Sequence, residues 1–382
     1  MAASIAQTNF ASLLDNEKVV WSRDVWKAAR NASFSMQFMG KGPNSMIQRI
    51  TELTKTEKGT KAIITLVTDL EGDGIRGDDT LEGNEEEIKA YDQEIVIDQL
   101  RNANRTTGRL ADQKSVINFR NTSKDVLAYW LADRCDQLAF QTLAGWNYNL
   151  TTDGADRSVV TGQTTLESLD FQAVDPSSDR QLAWLGTANG GLSVTSATNV
   201  DVVNPSWNML VEAKAYAKDN YIRGIKGPGN TEYFHVFMTP QGLAKLKQDP
   251  EFKKNLESAG PRGADNPLFS GSVMTQDGLI IHEFRHVPNN TAATATKWGS
   301  GANVDGQAVL FCGAQALGFA DIGLPYWDED EFDYNNQKGI SVGKMFGFLK
   351  PQFHSLKSGS VQDFGVIRIN TAADLSVGYG ST

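Results

Sequence analysis

The sequence has 382 residues, of which 40% are hydrophobic and 21% charged, and its formal net charge is −10. A chain of this length and composition can bury a large core, which excludes an intrinsically disordered protein. The acidic balance argues against an extended nucleic-acid surface, because such a surface needs clustered lysine and arginine. No run of basic residues occurs in the sequence.

The N-terminal segment and the cysteines indicate a compartment. The opening residues MAASIAQTNFASLL contain neither a charged region nor a long apolar region, so no secretory signal is predicted. No apolar run approaches the length of a membrane span, so no membrane partner is expected. Cys135 and Cys312 lie in apolar surroundings, which is typical of reduced core cysteines. We therefore expect an acidic, soluble protein synthesised inside the cell.

The N-terminal third predicts an arm followed by a long hairpin. The arm should contain short helical pieces, such as Ser45–Leu53. The apolar run KAIITLVT at Lys61–Thr68 predicts a strand, and IKAYDQEIVID at Ile88–Asp98 predicts a second. The intervening segment Asp69–Glu87 is rich in glycine and acidic residues. Because few of its residues could pack onto a core, this tip is expected to project.

The clearest helix is predicted from Thr122 to Gly145. Thr122–Asp125 resembles a capping box, and Gly145 is a natural stop. A helix of this length usually serves as a scaffold for other elements. Apolar residues recur at helical spacing, and the expected inward positions are Val126, Leu127, Trp130, Leu131, Cys135, Leu138, Ala139, Thr142 and Leu143.

The remaining chain mixes helices and strands. Residues 146–203 show weak periodicity and are expected to be irregular. A helix is predicted over Pro205–Asn220, and another begins at Thr239–Pro240, with threonine as the N-cap. Further strands are predicted at TEYFHVFM, GLIIHEF, QAVLFC and DFGVIRIN. Because helices and strands alternate without a regular βαβ rhythm, the sequence predicts the α+β class.

The segment His282–His286, HEFRH, matches the pattern in which two histidines on a helix bind zinc and a glutamate activates its water. The local pattern opposes a helix, because the segment lies between Gly278 and Pro288 and alternates as a strand does. On a strand the histidines would lie about 13 Å apart, too far to bind one ion. We therefore expect a solvated strand, and a zinc metallohydrolase is kept only as an alternative.

Three other patterns do not indicate a catalytic or metal site. The segment DLEGDGIRGDDT resembles an EF-hand loop, but Thr80 stands where the closing glutamate belongs. GISVG at Gly339–Gly343 resembles a nucleophile elbow, but the residues before it are too polar for a buried strand. The acidic cluster Trp327–Asp333 predicts a solvated or partner-facing loop. We therefore predict no catalytic residues, no metal and no cofactor, and we expect that the protein is not an enzyme.

The most specific pattern lies at Gly77–Gln113. Its distinctive parts are GDDTLEGNE and the later IDQ and GRLADQ, and it resembles the major capsid proteins of N-four-type tailed phages. The order of features extends the resemblance over most of the chain. The resemblance implies the Hong Kong 97-type capsid fold. It also implies self-assembly as hexamers and pentamers into an icosahedral shell that encloses the packaged double-stranded DNA genome.

That fold would divide the chain into successive parts. These are an N-terminal arm (1–55), an extended β-hairpin loop (56–114), a peripheral domain (115–204) with a spine helix (122–145), an axial domain (205–325) and a C-terminal return to the peripheral domain (326–382).

The resemblance also implies partners and contacts. The partners are copies of the same chain, with scaffolding, portal and decoration proteins left open, and DNA enclosed without sequence-specific binding. The protein would be made and assembled in the host cytoplasm and reside in the virion. Another virion component, such as a tail or fibre protein, is a second alternative, although fibre-like repeats do not occur. Intersubunit contacts are predicted at Gly72, Asp73, Asp78, Asp79, Leu81, Glu82, Asn84, Glu85 and Arg109.

Overall fold

The computed structural model describes most of the chain, and it confirms a mixture of helices and β-sheets. The described residues are 24–29, 33–51, 59, 61–67, 74–85, 90–114, 119–157, 165–195, 200–227, 229, 231–259, 274–293, 297–301, 303–355 and 359–373.

Residues 24–29 are helical. The helices that follow, in chain order, are α1 (Arg109–Lys114), α2 (Phe119–Ala144), α3 (Trp207–Asp219), α4 (Pro240–Gln248) and α5 (Pro250–Ala259). The strands are β1 (Met39–Gly40), β2 (Ile47–Ile50), β3 (Lys61–Val67), β4 (Ala90–Val96), β5 (Asp98–Arg105), β6 (Gln181–Trp184), β7 (Leu192–Ser193), β8 (Ile225–Lys226), β9 (Glu232–Met238), β10 (Met274–Gln276), β11 (Leu279–Glu283), β12 (Gly306–Cys312), β13 (Leu317–Asp321), β14 (Tyr326–Phe332), β15 (Gln337–Leu349), β16 (Gln352–Ser355), β17 (Ser360–Asp363) and β18 (Val366–Ala372).

Two large sheets organise these strands. The six-stranded sheet has the order β1-β2-β13-β15-β14, with β5 also paired to β15. The eight-stranded sheet has the order β10-β11-β9-β12-β18-β6-β7, with β8 also paired to β9. Two further hairpins, β3–β4 and β16–β17, stand beside these sheets. Strand pairing within the two large sheets therefore brings together segments that are far apart in sequence.

The spine helix α2 differs at its start from the prediction. It begins at Phe119, whose ring packs partly against the core, so Thr122 lies inside the helix and is not its cap. Val126 was predicted to face inward but is exposed, whereas Leu127 and Leu131 are buried as expected. Among the described residues, no helix is both long enough and apolar enough to cross a membrane.

Helix α2 ends before Gly145, as predicted, and its last residue bonds to the eight-stranded sheet. Gly145 adopts a left-handed φ of +63°, which glycine tolerates best. On β18, the buried Arg368 donates a hydrogen bond of 3.1 Å from Nη1 to the carbonyl oxygen of Ala144. Its guanidinium also lies 5.2 Å from the ring of Trp146. A cation at this position compensates the negative end of the helix dipole.

One core cluster joins both sheets to the spine helix. It includes Leu131 and Leu138 of α2, Leu310 of the eight-stranded sheet, and Phe319 and Phe346 of the six-stranded sheet. Each large apolar side chain buried in this way stabilises the fold by about 1.5–3 kcal/mol. The helix therefore works as the shared scaffold that the sequence predicted.

The prediction of a helical piece near residue 45 is wrong. The expected helical piece at Ser45–Leu53 contains β2, whose isoleucines pair in parallel with β13, and this sheet contact overrides the local pattern. The last strand, β18, pairs with β12 and with β6, and β6 lies in the range predicted for the peripheral domain. The expected return of the chain to that domain therefore stays a prediction. By contrast, Thr239 caps α4 as predicted, accepting a hydrogen bond from the Gly242 amide.

The end of the spine helix gives a stability prediction. An alanine Cβ at Gly145 would lie 2.5 Å from the carbonyl oxygen of Val174, whereas Gly359 has a similar φ of +65° and open space around it. In urea unfolding, Gly359→Ala should cost about 1–2 kcal/mol from backbone strain alone. Gly145→Ala should cost about 1–3 kcal/mol more, because of the added clash. Equal losses in the two variants would contradict this account of the helix end.

Candidate assembly surfaces

The predicted extended hairpin is formed by β3 and β4. The strands pair antiparallel, from Lys61 opposite Val96 to Val67 opposite Ala90. The base of the hairpin is buried, because Ile64 packs in a small cluster with residues of β2, β4 and β13. The hairpin is therefore attached at its base to the six-stranded sheet.

The tip of this hairpin is described at residues 74–85, and these residues are almost all exposed. Gly72 and Asp73 lie outside the described residues. The hydrogen bonds described for the tip are local. They include one from the Asn84 backbone amide to the Leu81 carbonyl at 3.0 Å and one from the Gly83 backbone amide to the Glu85 carboxylate at 2.8 Å. The other predicted contact residues of the tip are all exposed: Asp78, Asp79, Leu81, Glu82, Asn84 and Glu85.

Arg109, the remaining predicted contact residue, has a different place. It begins α1, is exposed, and donates from Nε to the carbonyl oxygen of Asn335 at 2.9 Å. Its backbone amide donates to the Asn336 side chain at 3.3 Å. Arg109 therefore supports the turn between β14 and β15, and its contact with a neighbouring subunit stays a prediction.

The outer face of β5, β15 and β14 separates opposite charges. In one row across the strands, Arg105 of β5, Gly339 of β15 and Asp330 of β14 lie side by side. The acidic cluster Trp327–Asp333 was predicted as a loop, but most of it forms strand β14. The GISVG segment lies within strand β15. Small residues in the central strand keep this face flat between an arginine row (Arg101, Arg105) and an acidic row (Asp328, Asp330).

The spine helix presents a further surface. Val126 and Tyr129 are one turn apart and are both more than half exposed. Apolar side chains at this spacing on a buried helix are suited to a contact with another chain.

The HEFRH segment is confirmed as a strand only in part. Strand β11 contains His282 and ends at Glu283, and His286 lies in the turn that follows. His282 Nε2 is 2.9 Å from Nδ1 of His235, and His286 Nε2 is 2.7 Å from the Asp133 carboxylate. The expectation of a solvated strand is wrong, because His282 and His286 are each only 8% exposed. Within the described parts of the chain, no group of three metal-binding side chains comes together.

Phe38, in the described part of the N-terminal arm, packs against the pair formed by His235 and His282. The rings of Phe38 and His282 have centroids 4.9 Å apart, and Phe38 lies 5.0 Å from the ring of His235. Burial lowers the pKa of both histidines to about 4. Both imidazoles are therefore neutral at neutral pH, and one donates its proton to the nitrogen of the other.

A carboxylate on the spine helix holds the arm in place. The buried Asp136 accepts hydrogen bonds from the hydroxyls of Ser33 and Ser35, both at 2.6 Å. It also accepts from the backbone amides of Phe34 and Ser35, at 2.8 and 3.0 Å. Four donors can offset the cost of burying one charge. Sequence reasoning missed this contact, because the partners are about a hundred positions apart.

Sequence reasoning also missed a buried ion pair, whereas it predicted the two buried cysteines correctly. Lys344, on β15, is fully buried beside Asp321, and its ammonium lies 3.9 Å from the ring of Trp26 in the arm. Burial lowers the pKa of Lys344, which the adjacent Asp321 opposes. The two cysteines are free and buried as predicted, and burial raises the pKa of the Cys135 thiol to about 12.

Solved structures define the class to which this architecture belongs. The capsid of Ralstonia phage GP4 matches with a TM-score of 0.72 and 24% identity, over 90% of this chain and 91% of that one. A capsid chain of Cyanophage Pam1 matches with a TM-score of 0.67 and 19% identity, over 88% and 91% of the two chains. The fold is therefore that of a Hong Kong 97-type capsid subunit.

Sequence comparison identifies the family. The family described as "Phage capsid protein" matches residues 9–375. The major capsid protein of Pseudomonas phage KPP25 is 54% identical over 373 residues, which cover 96% of this chain and 98% of that relative. The chain belongs to the phage capsid protein family, and its function is that of a phage major capsid protein, a structural component of the virion.

The histidine pair predicts a loss of stability in acid. The folded pKa of about 4 lies below the unfolded value of about 6.5, so the unfolded chain binds more protons between these pH values. The stability is fully present above pH 6.5 and falls as the pH falls toward 4. The slope contributed by each histidine is at most about 1.4 kcal/mol per pH unit.

Two glutamine variants test this prediction. His282→Gln removes one titrating group and keeps a hydrogen-bonding partner for His235, so its free energy of unfolding should depend less steeply on pH between 6.5 and 4. His354→Gln, which changes an exposed histidine outside the pair, is the matched control. Chemical unfolding measured at several pH values gives both slopes. A His282→Gln slope equal to that of wild type would show that the pair does not cause the acid sensitivity.

Proposed function

We propose that the protein assembles through its extended hairpin into hexamers and pentamers, which form the icosahedral shell of a tailed phage. The observation that carries this proposal is the tip at residues 74–85. The tip is exposed and makes local turns, and its acidic surface is not buried in the core of the subunit. Ordering such a segment costs about 1–2 kcal/mol per residue in backbone entropy. Contacts with a neighbouring copy would offset that cost.

Charge complementarity favours a partner surface for the tip. The tip carries the exposed carboxylates of Asp78, Asp79 and Glu82. On the outer face of β5, Arg101 and Arg105 are exposed and lie on the same side of the strand. We propose that the tip of one copy binds this arginine row of the next. The same contact repeated from copy to copy can close a ring.

Finer parts of the proposal rest on the resemblance at Gly77–Gln113. The resemblance supports a phage of the N-four type, the division into arm, hairpin, peripheral and axial parts, and assembly in the host cytoplasm. The shell would enclose the double-stranded DNA without sequence-specific binding, and would require no catalytic activity of this chain. Scaffolding, portal and decoration proteins fit this proposal as further partners. The histidines of HEFRH have different partners, which gives a zinc metallohydrolase no support.

Deleting Gly72–Glu86 tests the hairpin tip. The free energy of unfolding of the subunit should change by only about 0.5 kcal/mol, because the tip adds little to the core. Shells should no longer form, because the reach between neighbouring subunits is lost. Urea unfolding gives the first quantity, and electron microscopy with sedimentation gives the second. Normal shells from the deletion variant, or an unfolded subunit, would contradict the proposal.

A charge variant separates the tip's acidity from its length. Neutralising Asp78, Asp79 and Glu82 to the corresponding amides should weaken assembly at low salt by at least tenfold in the concentration required. The matched control neutralises three exposed acids outside the tip and outside the flat face: Asp170, Glu251 and Glu257. That control changes the net charge equally and should assemble as the wild type does. Equal effects in the two variants would show that only overall charge matters.

A further inference from the structure

The turn between β14 and β15 has an unusual backbone. Asp333, Tyr334 and Asn335 are consecutive, and all three have left-handed φ values, of 55°, 49° and 65°. Aspartate and asparagine tolerate this conformation, but a bulky tyrosine does so at a cost, and glycine or asparagine is the usual residue there. The middle position of the turn therefore carries a side chain that the backbone disfavours.

A second tyrosine shows how such a conformation is ordinarily explained. Tyr221 has a φ of 58° and follows helix α3. The amide of Ile222 bonds to the carbonyl of Ala217, and the amide of Tyr221 bonds to that of Lys218, which is the usual closing pattern of a helix end. Tyr334 lies between two strands, so no helix end accounts for its conformation.

The turn is nevertheless fixed by hydrogen bonds from its surroundings. The Arg109 side chain donates to the carbonyl oxygen of Asn335, and the Asn336 amide donates to the carbonyl of Asp333 at 2.9 Å. The amide of Lys338 donates to the Thr106 hydroxyl at 2.9 Å. These hydrogen bonds therefore brace the turn in a defined shape.

The side chain presented by this fixed turn is fully exposed. The relative exposure of Tyr334 is 103%, and that of Leu110, next to the supporting Arg109, is 70%. Tyr334 on the braced turn is not packed in the subunit's own core, and Leu110 on the adjacent helix α1 is mostly exposed. Tyrosine is among the residues that most often dominate the binding energy of protein interfaces, since its ring is large and loses little freedom.

We propose that Tyr334 is an anchor that inserts into a second copy of the chain during shell assembly. The proposal rests on the proposed function and names one contact of it, separate from the hairpin tip. A second copy is favoured as the partner because the surroundings of the turn carry both charges. The exposed Asp333 lies in the turn, and the exposed Arg109 bonds to Asn335 of the same turn, so both charges are next to Tyr334. Such a surface is complementary to another copy of itself.

Asparagine substitutions provide a matched test. Tyr334→Asn removes the ring and keeps a residue that tolerates the left-handed backbone, so the subunit should stay folded with an unchanged or higher melting temperature. The concentration required for shell formation should rise at least tenfold. Tyr334→Phe keeps the ring and should retain assembly. Tyr221→Asn makes the same change at the tyrosine that is 79% exposed with a similar φ, and should assemble as the wild type does.

The measurements are melting temperature, sedimentation velocity and electron microscopy of the full-length chain produced in bacterial cells. Wild-type assembly of Tyr334→Asn would overturn the proposal while leaving self-assembly through the hairpin intact. Equal losses in Tyr334→Asn and Tyr221→Asn would also overturn it, because the braced turn would then have no special role. If the wild-type chain forms no oligomer at any concentration, the proposed function itself fails.

Discussion

The fold depends on the burial of the spine helix α2 against both large sheets. Leu131 and Leu138 share one core cluster with Leu310 of the eight-stranded sheet and Phe346 of the six-stranded sheet. Arg368 adds a polar connection, since it bonds to the last carbonyl of the helix from the centre of the eight-stranded sheet. The spine helix therefore packs against both sheets within one core.

Three exposed parts of the subunit lie outside its core, so they are available for contacts with other subunits. The hairpin tip, the flat charged face of β5, β15 and β14, and the turn at residues 333–336 all expose charged or aromatic side chains. The arm is different, because Asp136 and the pair His235 and His282 bind its described end to the subunit itself. The molecule thus combines a buried core with exposed surfaces that would contact neighbouring copies in the proposed shell.

Local signals in the sequence predicted much of this structure. The glycine at position 145, the cap at Thr239 and the apolar runs of β3 and β4 act over a few residues, so their outcome could be predicted. The helix expected at 45–53 failed because β2 is stabilised by β13, more than 260 positions away. The sheet of β18, the donors to Asp136 and the burial of the histidine pair also depend on distant partners. The resemblance at Gly77–Gln113 supplied the family, which helix caps and apolar periodicity could not have given.

Hydrogen exchange of free subunits and assembled shells tests the central claim most directly. If the hairpin ties neighbouring copies together, amides of residues 74–85 should exchange rapidly in the free subunit and become at least a hundredfold slower in the shell. Amides in the buried part of α2 should be slow in both states, since the core is complete before assembly. Tip amides that exchange equally fast in the two states would contradict the account, and so would spine-helix amides that gain protection only in the shell.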